Sequence, residues 1–260
     1  AACFALPMFL IFLQPDLGST LVFPPIAFSL LYVARMPTKF FVSTFVVFVV
    51  LLGLLGFDLF HYYQYKLENP KPSDAVVAYE ETSLLPLKDY QRKRILTFLA
   101  PEVEDPHGVG SNWNRIQALI AVATGGLSGK GLGEGMQAKL GYLPTAVAHN
   151  DFIFAVIAEE LGVVGALTVL AVYSLFIVQI FAVARAQLSR GELFAAYCCY
   201  FVGLIFAFQL LINLGVNTGA LPTKGLTLPF ISYGGNSLII SSAMIGMVLR
   251  CAYPREVRRG

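Results

Sequence analysis

Apolar residues run through this chain in blocks much longer than a soluble helix or strand requires. Ala1 to Leu13, Leu17 to Ala34, Phe40 to Phe57, Phe152 to Ala184, Leu193 to Leu214 and Ser237 to Leu249 carry almost no charge. A helix needs about 20 such residues to cross a bilayer. The pattern predicts six crossings and an all-α integral membrane protein, a polytopic helix bundle. Pro24-Pro25 is expected to interrupt the second crossing, since proline lacks an N–H and collides with the preceding turn. The fourth block, at 33 residues, is long enough to tilt or to project beyond the bilayer. The first opens within an apolar run, without Met or a basic leader, and reads as beginning inside a helix.

Between the third and fourth blocks the pattern changes. Of 18 Lys and Arg and 16 Asp and Glu, 19 fall between Asp58 and Asn150. The plan is therefore residues 1–57 as transmembrane helices, 58–150 as one long loop with short interfacial helices, and 151–260 as transmembrane helices with a tail. Lys and Arg of short loops gather on the cytoplasmic side. The turns at Arg35 and Lys39 and at Arg185 and Arg190, and the tail with Arg250, Arg255, Arg258 and Arg259, fall on one face when six crossings alternate. That face is predicted to be cytoplasmic, with the C-terminus, and the long loop lies outside. A net charge of +2 with no basic run excludes a nucleic-acid partner. The cysteines sit in or at the ends of apolar runs and read as small hydrophobes, not as a disulfide framework.

Candidate chemistry collects where the polar loop meets the apolar blocks. Residues 125–135 contain six glycines and Lys130. Such backbone can come close to an anion and offer it N–H groups and an ammonium. A flexible turn is the equally weighted alternative. His149-Asn150-Asp151 stands at the entrance to the fourth block, with Glu159-Glu160 inside it. An ionisable residue within a membrane helix is costly and points to function. On a helical wheel Glu159 lies about 80° from Asp151 and roughly 12 Å deeper, so the two are expected to share one cavity, with Glu160 on the opposite side. A carboxylate at an apolar mouth is desolvated, which raises its pKa toward that of a general base. Two alternatives remain: Asp151 as an N-cap, and Glu159 or Glu160 bracing neighbouring helices through buried hydrogen bonds. The segments Gln14 to Gly18 and Leu221 to Gly235 add a carboxylate, Lys224, hydroxyls and a Gly pair. The second is a candidate re-entrant segment lining a cavity. His107 and His149 lack the spacing of a zinc site.

Six motifs then stand in a recognisable order. They are Gln-Pro-Asp-Leu-Gly at 14 to 18, Arg-Ile-Leu-Thr-Phe-Leu at 94 to 99, Gly-Gly-Leu-Ser-Gly-Lys-Gly at 125 to 131 and Tyr-Leu-Pro at 142 to 144. His-Asn-Asp-Phe-Ile-Phe-Ala-Val-Ile-Ala-Glu-Glu-Leu-Gly at 149 to 162 and Leu-Pro-Thr-Lys-Gly-Leu-Thr-Leu-Pro-Phe-Ile-Ser-Tyr-Gly-Gly at 221 to 235 complete the set. From end to end the chain resembles the FtsW/RodA/SpoVE family, and its FtsW branch more than its RodA branch. The resemblance implies the last six of ten transmembrane helices, families helices five to ten. It implies a bacterial cytoplasmic membrane protein that polymerises lipid II into peptidoglycan strands during division or elongation. A class B penicillin-binding protein and other divisome or elongasome proteins are the implied partners.

Carried over position by position, the resemblance makes Asp151 the essential aspartate and Glu159 an important glutamate. An acceptor hydroxyl must lose a proton to attack the donor's anomeric carbon, whereas a diphosphate leaving group needs positive charge rather than a proton donor. Asp151 is thus expected as general base. Lys130, Lys139, Arg94 or Lys224 is expected to steady the diphosphate, with Gln117, His149 and Ser232 as further substrate contacts. No organic cofactor is implied, and a divalent cation is a candidate for sharing the diphosphate. The chain departs from the family in Asn150, where Thr is usual, and in lacking the acidic residue usual shortly before His149. A lipid-precursor flippase and a non-enzymatic divisome scaffold are the rival readings; transport would place key ionisable groups at mid-membrane depth, which only Glu159 fits.

Overall fold

The structure, a computed structural model, describes residues 17–68, 89–104, 108, 112–143, 148–222 and 226–253. Among them all regular structure is helical: α1 Leu17–Val33, α2 Thr38–Glu68, α3 Asp89–Leu99, the single turn α4 Pro101–Glu104, α5 Trp113–Thr124, the turn α6 Met136–Lys139, α7 Ile153–Ser189, α8 Leu193–Asn217 and α9 Gly235–Ala252. Four of these, α2, α7, α8 and α9, are long and apolar enough to cross a membrane. The first predicted crossing and the Gln14 to Asp16 loop lie outside the described residues.

Two compact units share the chain: the smaller comprises Pro37–Ile116 with Leu221–Thr223 and the larger the remainder, so that one boundary falls inside α5 at Gln117. In the smaller unit, α2 runs through Phe57 and continues to Glu68. The charge at Asp58 does not end the helix, because its carboxylate is buried and accepts a 2.8 Å hydrogen bond from Arg92 Nε on α3. Tyr62, one turn further, packs on Leu96, and the Arg92 guanidinium lies 5.9 Å from its ring centre. A charge that would stop a membrane helix is tolerated once it is paired away from lipid. Between Val42 and Leu54 most side chains of α2 are exposed, as a span facing lipid requires.

In the larger unit, α7 packs along α8, with α9 against both and α1 against α8. Tyr173, Ile177, Ile180 and Ala184 of α7 recur at helical spacing and meet Cys199, Val202, Phe206 and Leu210 of α8. Lipid tails are as apolar as these side chains, so close fit rather than burial from water holds such a seam. Gly203 illustrates the fit: a Cβ there would stand 2.8 Å from the Phe181 ring. At the far end Gln187 Nε2 donates to Cys251 O at 3.0 Å, tying α7 to α9.

Two expectations change here. Helix α1 passes through Pro24 and Pro25 without a break; membrane helices accept proline because neighbouring groups and small local adjustments satisfy the freed carbonyls. Conversely, α7 is broken where no proline stands. Gly162 has φ 68° and ψ −169°, far outside helical values, so the segment is two helices meeting at a kink.

Candidate active site

Asp151 lies in the turn that leads into α7, and the capping position is Phe152, which makes no side-chain cap bond. Asp151 is therefore not an N-cap. Its backbone carbonyl accepts from Asn213 Nδ2 at 3.0 Å and Asn217 Nδ2 at 3.1 Å, both on α8. No described residue donates to its carboxylate. Partial burial without a compensating donor pushes the Asp151 carboxyl above its usual pKa through desolvation.

The turn is framed from the other side by the segment between α8 and α9. Ser232 Oγ donates to Asn150 O at 2.6 Å and accepts from Leu228 N–H at 2.7 Å, while Tyr233 N–H donates to His149 O at 2.9 Å. Phe230 there adopts φ 65°. A left-handed non-glycine costs about 1–2 kcal/mol, offset here by its ring, which stacks on Phe206 at 5.8 Å and meets Phe176 edge-on at 6.1 Å. The Ser232 hydroxyl, expected as a substrate contact, thus has both its bonds inside the protein. His149 is exposed beside Asp151.

Glu159 has the opposite surroundings. Its carboxylate is completely buried and accepts from Lys130 Nζ at 2.6 Å and Met136 N–H at 3.0 Å, with Gln137 N–H at 3.4 Å. Lys130 also donates to Thr124 Oγ1 at 2.8 Å. Glu159 therefore braces the glycine-rich loop, through Lys130, and the start of α6. The loop in turn lies against the α7 backbone: Lys130 N–H donates to Glu159 O, Gly131 N–H to Glu160 O, Val163 N–H to Gly126 O and Val164 N–H to Leu127 O. These contacts need glycine. A Cβ on Gly129 would stand 2.1 Å from Glu160 O, and one on Gly162 would stand 2.4 Å from Gly129 N. The N–H groups of Lys130 and Gly131, expected to await an anion, are thus bonded to α7. The expected shared helix face is absent as well, since Asp151 precedes the helix.

Gln117 is buried on the inner face of α5 beside Ala118 and Ala121. Lys139 is exposed and pairs with the exposed Glu134. Arg94 belongs to α3 in the smaller unit, its side chain outside the described residues, as is Lys224. The larger unit thus brings together Asp151, His149 and Ser232 as one group, and Glu159 and Lys130 as another. Asn213 and Asn217 escaped the sequence reading. Their signal was two amides one helical turn apart inside an apolar span, which a search limited to ionisable groups passes over.

A model of the FtsW/RodA/SpoVE family, described as a cell cycle protein, matches residues 1–256. The chain belongs to this family. Among its FtsW/RodA/SpoVE relatives, a probable peptidoglycan glycosyltransferase FtsW from Thiomicrospira cyclica is 40% identical over 251 residues, covering 96% of this chain and 56% of that protein. The probable peptidoglycan glycosyltransferase FtsW of Idiomarina loihiensis is 38% identical over 248 residues, covering 95% and 52%. A solved structure described as the structural coordination of polymerization and crosslinking by a peptidoglycan synthase complex aligns with TM-score 0.63 at 29% identity, covering 96% of this chain and 60% of that one. The family's all-helical membrane architecture and the FtsW-like character of this member follow. The chain spans about half the length of the curated relatives it matches.

Proposed function

We propose that the full-length protein is a peptidoglycan glycosyltransferase that polymerises lipid II, with Asp151 as its general base. The observation that carries this reading is the contrast in bonding at Asp151: the backbone is held by two amides while the carboxylate is desolvated and takes no hydrogen bond from a described residue. A base needs a lone pair that the protein has not already used, and a pKa moved toward neutrality. In the reaction Asp151 takes the proton of the acceptor sugar hydroxyl, that oxygen forms the new bond to the donor's anomeric carbon, and the bond to the lipid diphosphate breaks. The departing diphosphate carries its own negative charge, and no proton is required for it to leave.

Lys130 is paired with the buried Glu159, whereas Lys139 is exposed and its pair with Glu134 is exposed on both sides, which makes Lys139 the more available of the two for the diphosphate. A divalent cation is a further candidate for sharing the charge of the diphosphate. The charge pattern of the short loops supports a cytoplasmic-membrane protein with residues 58–150 outside and the C-terminus inside. A class B penicillin-binding protein is the proposed partner, in line with the polymerization and crosslinking described for the aligned synthase complex. Transport drew its support from Glu159, and a carboxylate already holding a lysine and two backbone N–H groups is poorly suited to carry a load.

The test is reconstitution of the full-length protein and its penicillin-binding partner in liposomes with lipid II. Glycan strands are expected from the wild type and none from Asp151→Asn. Lipid II translocation without strands, or full polymerisation by Asp151→Asn, overturns the proposal.

A further inference from the structure

An unbroken helix through this region would bond Ala155 N–H to the carbonyl four residues back, that of Asp151. It does not. The Ala155 N–H donates to Asn217 Oδ1 at 2.9 Å, and the Asp151 carbonyl accepts from Asn217 Nδ2 at 3.1 Å. One carboxamide has been inserted between a donor and an acceptor that would otherwise close on each other. Both halves of the amide match what they meet, so the helix start is satisfied while Asp151 is kept outside it. Ala155 N–H also donates to Phe152 O at 3.0 Å, so α7 tightens immediately after the inserted amide.

Asn217 does not stand alone. It lies one turn of α8 beyond Asn213 and donates to Asn213 O at 2.8 Å; both side chains are fully enclosed. Asn213 Nδ2 donates to the Asp151 carbonyl and, at 2.9 Å, to Leu226 O in the segment that also holds the turn through Ser232. Two buried amides therefore join three pieces of chain: the turn at Asp151, the interior of α8 and the segment leading to α9. With its carbonyl fixed inward toward α8 and its residue barred from the helix, Asp151 keeps a carboxylate that no described residue satisfies.

We propose that Asn217, braced by Asn213, is the positioning residue for Asp151, acting through the inserted amide rather than by touching substrate. The inference rests on the role of Asp151 proposed above. Replacing Asn217 by Leu frees Ala155 N–H and the Asp151 carbonyl to bond directly, and it removes the 3.2 Å hydrogen bond that Asn213 Oδ1 accepts from Asn217 Nδ2. Helix α7 gains Asp151 in its first turn, and the carboxylate is re-aimed.

The experiment measures kcat and KM for lipid II with the full-length protein in proteoliposomes, for wild type, Asn217→Leu, Asn217→Asp, Gln187→Leu and Asp151→Asn. Displacement of a reacting group by about 1 Å costs on the order of a hundredfold in rate. Asn217→Leu is expected to lose kcat on that scale with KM within about threefold. Asn217→Asp keeps the acceptor for Ala155 N–H and loses donation to Asp151 when ionised, so it is expected to lose kcat as well; it carries the test if the leucine variant fails to insert. Gln187→Leu removes a part-buried bond made by another enclosed amide at the far end of α7 and should leave kcat unchanged. The inference is overturned if both Asn217 variants keep wild-type kcat, or if Gln187→Leu loses as much. An active Asp151→Asn would overturn the assignment of the base itself. An inactive Asp151→Asn beside fully active Asn217 variants would overturn the positioning role alone.

Discussion

Asp151 and Glu159 stand near the head of α7, and the fold treats the two in opposite ways. Glu159 is sealed from solvent, pairs with Lys130 and takes two backbone N–H groups from the start of α6. Asp151 has its carbonyl tied down by two amides and its carboxylate left without a described donor. A saturated carboxylate holds structure, since any new contact must displace an existing one, whereas an unsaturated one is available for chemistry. The comparison separates residues that sequence alone places in one class.

The largest test of this contrast falls on Asp151. A positioned general base contributes about 10²- to 10⁴-fold, so Asp151→Asn is expected to lower polymerisation by at least the lower figure. Its thermal stability should match wild type, because no described bond to the carboxylate is lost. Glu159 predicts the reverse pattern. Breaking a buried ion pair by removing one partner costs about 3–5 kcal/mol, and Lys130→Met leaves the enclosed Glu159 carboxylate without its cation. That variant should melt at a lower temperature and yield less folded protein, while the double variant Lys130→Met with Glu159→Gln should recover much of the loss. A stable Lys130→Met protein that fails only in binding lipid II would return Lys130 to the diphosphate and blur the contrast.

Acidity sharpens it further. A general base at Asp151, as proposed, works only when deprotonated, and burial raises the Asp151 pKa. The rate should therefore rise with pH through a midpoint above that of an ordinary aspartate, and fall on acidification before exposed carboxylates titrate. A pH profile of kcat that stays flat down to the usual aspartate range would break the assignment. The smallest effect is expected from Lys139, whose pair with Glu134 is exposed on both sides. Surface pairs contribute about 0–1 kcal/mol, so Lys139→Ala should leave the melting temperature nearly unchanged, and any loss of lipid II affinity then reports on its charge alone.

The sequence made the architecture legible because membrane crossing is a demand on length and composition, which a linear pattern records directly. The blocks at Leu17, Phe40, Phe152, Leu193 and Ser237 all correspond to helices. Their ends were less legible where pairing in space overrides local character. Asp58 looks like the end of a crossing until Arg92 is brought beside it. Gly162 looks like one more small residue in an apolar run until the loop from Gly125 occupies the space a Cβ would need. The glycine loop left an anion site and a flexible turn equally open, because a glycine-rich stretch records only that the backbone is free to bend or to be approached closely; here it is α7 that approaches.

What the sequence determined by itself was the family, the helical membrane fold and the identity of the two carboxylates, since each depends on residue types and spacings along one strand of chain. Which carboxylate is braced and which is left open was decided only by tertiary structure. That choice depends on Lys130 and on the amides of Asn213 and Asn217, donors that lie far from their acceptors along the chain and meet them only after the helices pack.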